Sequence, residues 1–183
     1  MLPTDASKYI VNNSDGSKFE ATKVDLRYPN GTKITLWKKV VDYIYRAGSW
    51  LVSHNLNGWA AETSDFYCYL ASADNVGTGA WTLNSKNCSF SVDVTNINKI
   101  KVTHTISKYV SEGGNIGVTL KLSSASNASL YAQGTSSGTI TLDVSTLSGM
   151  QTFNLLTTLH QSNNQSFHYH GNCTVKITNI DVA

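Results

Sequence analysis

The chain has 183 residues and a formal charge of +2, and only 14% of its residues are charged, against roughly 25% in an ordinary soluble domain. Ser, Thr, Asn and Gly supply the polarity instead, which suits strand surfaces and turns and argues against a disordered polyelectrolyte. The scattered lysines form no dense basic face, so nucleic acid is not an expected partner, and no apolar run of about 18 residues is present to span a membrane.

In chain order, Met1-Leu2-Pro3-Thr4-Asp5 lacks a basic region followed by an apolar one, so no secretory leader is expected. Tyr9-Ile10-Val11 followed by Asn13-Ser14-Asp15-Gly16 predicts a short strand and a turn. Lys23 to Tyr28 alternates, with Val24, Leu26 and Tyr28 on one face, and Thr32 to Trp37 alternates again through Ile34 and Leu36. Between these runs Pro29 pre-sets a turn and Asn30-Gly31 accepts positive φ, a strong β-hairpin signal. A ribbon of this size is marginal alone and needs a partner surface. Residues 1–40 are therefore read as a separate small hairpin module.

Residues 41–183 read as a second domain. Tyr43-Ile44-Tyr45 leads in, and Trp50 to Ala61 has a helical rhythm broken by Asn55, Asn57 and Gly58, worth one turn at most. Alternating runs then recur at Asp65–Leu70, Ser89–Val94, Lys99–Ile106, Gly117–Leu122, Thr139–Val144, Thr152–Leu156 and Thr174–Val182, the last with a phase slip near Asn179 that predicts a bulge. The fold class is all-β: a small N-terminal hairpin module followed by an antiparallel, jelly-roll-like β-sandwich.

Candidate chemistry is sparse. Asp93 and Asp143 end strands and precede Ser- or Asn-containing turns, as residues that close Asx turns do. Glu62 and Asp65 lie close in sequence to Trp59, but spacing alone does not bring them face to face. No catalytic residue is assigned and no cofactor is expected. In a strand His168 and His170 would share a face and form half of a transition-metal site, with His160 as a third donor; the competing reading is a pair of surface imidazoles. His104 shares the apolar phase of Val102 and Ile106 and reads as a hydrogen-bonded core histidine. Cys68, Cys88 and Cys173 match no zinc spacing; Cys68 reads as a small buried hydrophobe, and a disulfide between two of the three stays open.

Aromatic residues offer the other candidate site. Trp59, Trp81, Tyr67 and Tyr69 are the proposed ligand-facing set, because sugar C–H faces stack on aromatic rings while amides read the hydroxyls. Tyr67 and Tyr69 oppose the Phe66/Cys68/Leu70 face and should point outward. The tryptophans have a second reading, as plugs at the ends of the sandwich core.

Tyr9-Ile10-Val11-Asn12 and Lys18-Phe19-Glu20-Ala21-Thr22-Lys23-Val24-Asp25-Leu26-Arg27-Tyr28-Pro29-Asn30-Gly31-Thr32 resemble short N-terminal modules of phage and prophage proteins of Firmicutes. The remainder resembles, in composition, the β-sandwich domains of phage tail, fibre or head-decoration proteins. Ile140-Thr141-Leu142-Asp143-Val144-Ser145-Thr146-Leu147-Ser148-Gly149 is similar to the penultimate strand and turn of such jelly rolls. These resemblances imply a non-enzymatic virion component, assembled in the host cytoplasm as a homo-oligomer or multicopy array. Its hairpin would dock to other virion proteins through Val24, Leu26, Tyr28, Ile34 and Leu36, and its sandwich would face outward, with host-surface glycan as candidate ligand. The alternatives are a stand-alone bacterial carbohydrate-binding module and, behind it, a glycan-degrading enzyme, which would need two carboxylates in one cleft.

Overall fold

The computed structural model describes residues 9–12, 18–21, 23–38, 42–71, 82–112, 116–161 and 170–183. Among these, every regular element is a strand, and no helix is long and apolar enough to cross a membrane. The chain separates into two compact units, residues 1–41 and 42–183.

The first unit holds two hairpins. Strand β1 (Tyr9–Asn12) pairs with β2 (Lys18–Ala21), and β3 (Lys23–Arg27) pairs with β4 (Lys33–Lys38). The β3–β4 turn closes as its composition dictates. Gly31 takes φ +85°, its N–H donates to the Tyr28 carbonyl at 3.0 Å, and Asn30 Oδ1 accepts from the Thr32 N–H at 3.0 Å. Leu26 lies opposite Ile34 and Val24 opposite Trp37; the register slips between Val24 and Asp25, leaving Leu36 as the extra residue of a bulge. Of the side chains expected to dock, Tyr28 is exposed, and those of Val24, Leu26, Ile34 and Leu36 lie outside the described set.

The second unit opens with four short strands, β5 (Tyr43–Arg46), β6 (Ser49–Trp50), β7 (Ser53–Asn55) and β8 (Ala60–Ala61). Eight further strands follow: β9 (Phe66–Ala71), β10 (Thr82–Asp93), β11 (Lys99–Glu112), β12 (Ile116–Ser124), β13 (Tyr131–Gly134), β14 (Gly138–Asp143), β15 (Met150–Gln161) and β16 (His170–Val182). The helical turn allowed for Trp50 to Ala61 is replaced by turns and the short strands β6, β7 and β8.

Within β9–β16 the first strand pairs with the last, β10 with β15, β11 with both β14 and β16, and β12 with both β13 and β15. All of these pairs are antiparallel. One sheet runs β13-β12-β15-β10-β7; the larger one runs β14-β11-β16, where β16 pairs with β9 along one half and with β5 along the other. Folding an antiparallel ribbon back on itself in this way gives a jelly roll. The resemblance of Ile140–Gly149 to a penultimate strand is corrected in position: β14 is followed by both β15 and β16, so it is third from the end.

Period-2 alternation sets the faces. Val118, Leu120 and Leu122 of β12 point inward, as do Phe153, Leu155 and Leu159 of β15, and Cys173, Val175, Ile177 and Ile180 of β16. The inward set on β16 changes parity between Ile177 and Ile180 because Thr178 is skipped in the ladder to β11, where Thr103 faces Asn179 and His104 faces Ile177. The extra residue keeps both halves of β16 facing the core. At the turns, Asp93 Oδ1 accepts the Thr95 N–H at 3.0 Å, and Asp143 Oδ1 accepts the Ser145 N–H at 2.9 Å and hydroxyl at 2.6 Å. Those two bonds hold the Asp143 carboxyl below the usual range, the side-chain one first. Both aspartates thus serve as turn closures.

Candidate functional site

The outer face of the larger sheet carries the residues that could meet a ligand. On β9 the inward phase takes Phe66, Cys68 and Leu70, all fully buried, so Tyr67, Tyr69 and Ala71 fall on the outer phase. On β16 the inward Cys173, Val175 and Ile177 leave Asn172, Thr174 and Lys176 outward, and β11 adds Thr105, Ser107 and Tyr109. Register then aligns the three strands in rows. Tyr67, Lys176 and Thr105 form one; Tyr69, Thr174 and Ser107 the next; Ala71, Asn172 and Tyr109 the third.

Tyr69 is 47% exposed and Tyr109 61% exposed. They stand on either side of β16, about 10 Å apart across the strands and about 7 Å along them. The Asn172 amide and Thr174 hydroxyl lie between. Tyr67 sits about 7 Å along β9 from Tyr69, and the Lys176 ammonium lies 5.8 Å from the centre of its ring. The same ammonium meets Glu62 Oε2 at 3.2 Å and Asp65 Oδ2 at 3.6 Å. The Glu62 contact first, then Asp65, raise the Lys176 pKa against the opposing effect of burial. Glu62 and Asp65 are thus joined by a shared cation and tie the β8–β9 turn to β16.

Trp59 is placed elsewhere. It is 5% exposed, with its ring 5.4 Å from that of Phe66, and its Nε1 makes no hydrogen bond. It belongs to an aromatic core in which Tyr45 meets Phe66 edge-on at 4.8 Å and Trp50 lies 5.0 Å from each. The expectation of Trp59 as a ligand-facing ring is corrected to the core plug that was its other reading: the turn at Asn57-Gly58 directs the indole onto Phe66. Burial raises the Tyr45 phenol pKa; the Gly48 backbone offsets part of the rise without standing in hydrogen-bonding geometry, and Asp65 adds to it. Trp81 and His168 lie outside the described residues, as does the side chain of His170, whose backbone opens β16.

The remaining histidines and cysteines serve the fold. His104 is 2% exposed, and its Nε2 donates to the Ser136 carbonyl at 2.9 Å, the hydrogen-bonded core role its phase suggested. His160 lies against Gly117, where a Cβ would collide with its ring. Among the described residues, no group of three or more His, Cys, Asp or Glu could hold a metal. Cys68, Cys88 and Cys173 are free, buried thiols. Cys68 faces Val175 and Cys173 faces Leu70, so they stand diagonally rather than opposite each other. Burial pushes the Cys68 thiol up to about 12 and that of Cys173 up to about 11, and moves Cys88 in the same direction.

No family model matches the sequence, and no curated protein does. Among solved structures, one similar to this chain is a carbohydrate-binding module specific for non-crystalline cellulose, at 11% identity and TM-score 0.35, covering 77% of this chain and 86% of that one. A second is SGBP-B from a xyloglucan utilization locus of Bacteroides uniformis, at 7% identity and TM-score 0.33, covering 95% of this chain and 61% of that one. A third represents carbohydrate-binding modules of promiscuous specificity from the β-sandwich superfamily, at 13% identity and TM-score 0.29, covering 96% and 72%. Likenesses this distant bear no functional weight, and the side chains of this molecule must supply the reading.

Asn172, Thr174 and Ser107 were not singled out by the sequence. Their signal was the polar phase of Asn172-Cys173-Thr174-Val175-Lys176-Ile177, which marks an outer face but not its neighbours. Pairing of β16 between β9 and β11 is what brings them between two tyrosines.

Proposed function

We propose that the chain is a non-catalytic glycan-binding module whose ligand lies across β9, β16 and β11 on the outer face of the larger sheet. One observation carries this reading: Tyr69 and Tyr109, both exposed, flank the Asn172 amide and Thr174 hydroxyl. Aromatic faces accept the C–H surface of sugar rings, and amides and hydroxyls between them read the equatorial or axial hydroxyls. Solvent-facing aromatics staggered over adjacent rows, with polar groups at fixed spacing between them, make a surface suited to a chain of sugars. Among the described side chains, the carboxylates beside it, Glu62 and Asp65, engage Lys176, which favours binding over hydrolysis as the role of this face.

The test is a glycan microarray probed with the full chain and with Tyr69→Ala and Tyr109→Ala. Both side chains are exposed, so each variant should fold as the parent does, checked by circular dichroism, while binding falls about tenfold or more. Binding that survives both substitutions would refute the site.

A component of a phage or phage-like particle remains a second proposal. It is favoured by the independent compactness of residues 1–41 and by the two-stranded β3–β4 ribbon, a form marginal by itself. In that reading the hairpins attach the molecule to a neighbouring protein by strand addition, and the sandwich still presents its tyrosine face. Recovery of the chain in purified particles would support it, and its absence from them would remove it.

A further inference from the structure

Charge on the tyrosine face narrows the ligand class, given that the glycan-binding reading holds. The outer phase of β9, β16 and β11 contributes Tyr67, Tyr69, Ala71, Asn172, Thr174, Lys176, Thr105, Ser107 and Tyr109 across three rows. Lys176 is the one cation in that set, and Glu62 at 3.2 Å and Asp65 at 3.6 Å already hold it. Lys108 falls on the opposite phase of β11, facing Cys173 in the ladder. Lys101 and Lys99 continue the outer phase of β11 beyond Thr103, and Lys101 is about 14 Å along the strand from Thr105, further than a Debye length of about 8 Å at physiological salt. Beyond Ala71, Glu112 and His170 the connecting segments 72–81, 113–115 and 162–169 contain no Lys or Arg in their sequence.

A uronate, sulfate or sialate on this face would therefore meet two carboxylates around one committed ammonium, and the guanidinium of Arg46, which stands in register with Asn179 one outer row beyond Lys176, is likewise held, by Asp181. Acidic polymers are recognised through such cations, bidentate for arginine. Uncharged hydroxyls instead find donors and acceptors in Asn172, Thr174, Ser107 and Thr105 at no charge-burial cost. We infer that the tyrosine face is selective for a neutral polysaccharide and rejects acidic ones, with Tyr69 and Tyr109 as the two stacking positions and Lys176 withheld from the ligand by Glu62 and Asp65.

Affinity electrophoresis of the full chain, in native gels containing a mixed-linkage β-glucan, a galactomannan, polygalacturonate or hyaluronan, tests the inference. Retardation by a neutral polymer only, unchanged from about 0.02 to 0.5 M NaCl and weakened about tenfold by Tyr69→Ala, would support it. Lys121→Ala, on the other sheet, is the control, and its retardation relative to a polymer-free gel should match that of the parent. Retardation by polygalacturonate or hyaluronan that vanishes with salt would overturn the neutral class while leaving glycan binding standing. Retardation by none of the four, with the microarray also blank, would overturn both. Retardation by a neutral polymer that Tyr69→Ala and Tyr109→Ala leave intact would also overturn it, because the ligand would then lie elsewhere.

Discussion

The β5–β6 hairpin should respond with opposite signs to changes at two adjacent residues. Arg46 pairs with Ser49, leaving Ala47 and Gly48 as a two-residue loop with φ of 48° and 83°. This is a type I′ turn, whose first position normally takes Asn, Asp or Gly. An alanine held there is strained by about 1 kcal/mol, because its Cβ approaches the following carbonyl. Ala47→Asn keeps the turn, tolerates the left-handed backbone and should raise stability by about 0.5–1 kcal/mol. Gly48 also lies against the Thr63 carbonyl, and a Cβ there would collide with that oxygen. Gly48→Ala therefore adds backbone strain of about 1–2 kcal/mol to overpacking of about 1–3 kcal/mol, roughly 3 kcal/mol in all. For a domain of this size each kcal/mol moves Tm by about 2–4 °C. Differential scanning calorimetry should show the asparagine variant melting a few degrees higher, and the alanine variant about 6–12 °C lower. A Gly48→Ala protein melting with the wild type would refute the turn assignment and the approach to Thr63.

Three further predictions concern the interior. The three thiols should resist alkylation by iodoacetamide in the native protein and all react in denaturant, since each is buried. Their folded-state pKa values, about 12 for Cys68 and about 11 for Cys173, exceed the ordinary 9.0, so above about pH 9 the unfolded chain loses protons that the folded one keeps. Stability should accordingly fall as pH rises from about 9, read as a lower urea midpoint at about pH 10 than at about pH 8; an unchanged midpoint would contradict thiol burial. Trp59→Ala should cost about 3–5 kcal/mol by emptying the space over Phe66. Trp59→Phe should cost less, because the indole Nε1 makes no hydrogen bond to lose, and its binding per folded molecule should match the wild type. A Trp59→Phe protein that is fully folded but unable to bind would return Trp59 to the ligand face.

Much of the sandwich could be read directly from residue alternation. Phe66-Tyr67-Cys68-Tyr69-Leu70 states which side chains face inward, because the strand period is 2 and one face must be buried. The slip near Asn179 likewise located the bulge at Thr178, since a strand buried at both ends cannot change parity without an extra residue. The order of the strands within each sheet was less accessible: alternation labels faces but not neighbours, and the rows joining Tyr69, Thr174 and Ser107 exist only once β16 lies between β9 and β11. Trp59 misled for a related reason. A single aromatic in a turn carries no periodicity, so its exposure depends on how the Asn57-Gly58 backbone directs it. Leu36 fits the alternation of Ile34 and Leu36, yet the β3–β4 register bulges there, a backbone adjustment that the side-chain pattern does not encode.

The central claim, that the outer face of β9, β16 and β11 is where a glycan binds, is tested most directly by mapping a bound glycan on amide chemical shifts. The full chain, labelled with nitrogen-15, would be titrated with the oligosaccharide that binds best on the array. Shifts should concentrate at Tyr67, Tyr69, Ser107, Tyr109, Asn172 and Thr174. Shifts concentrated instead around Lys121, Tyr131 and Asn154 on the five-stranded sheet would contradict that claim, as would the absence of shifts with every glycan tried.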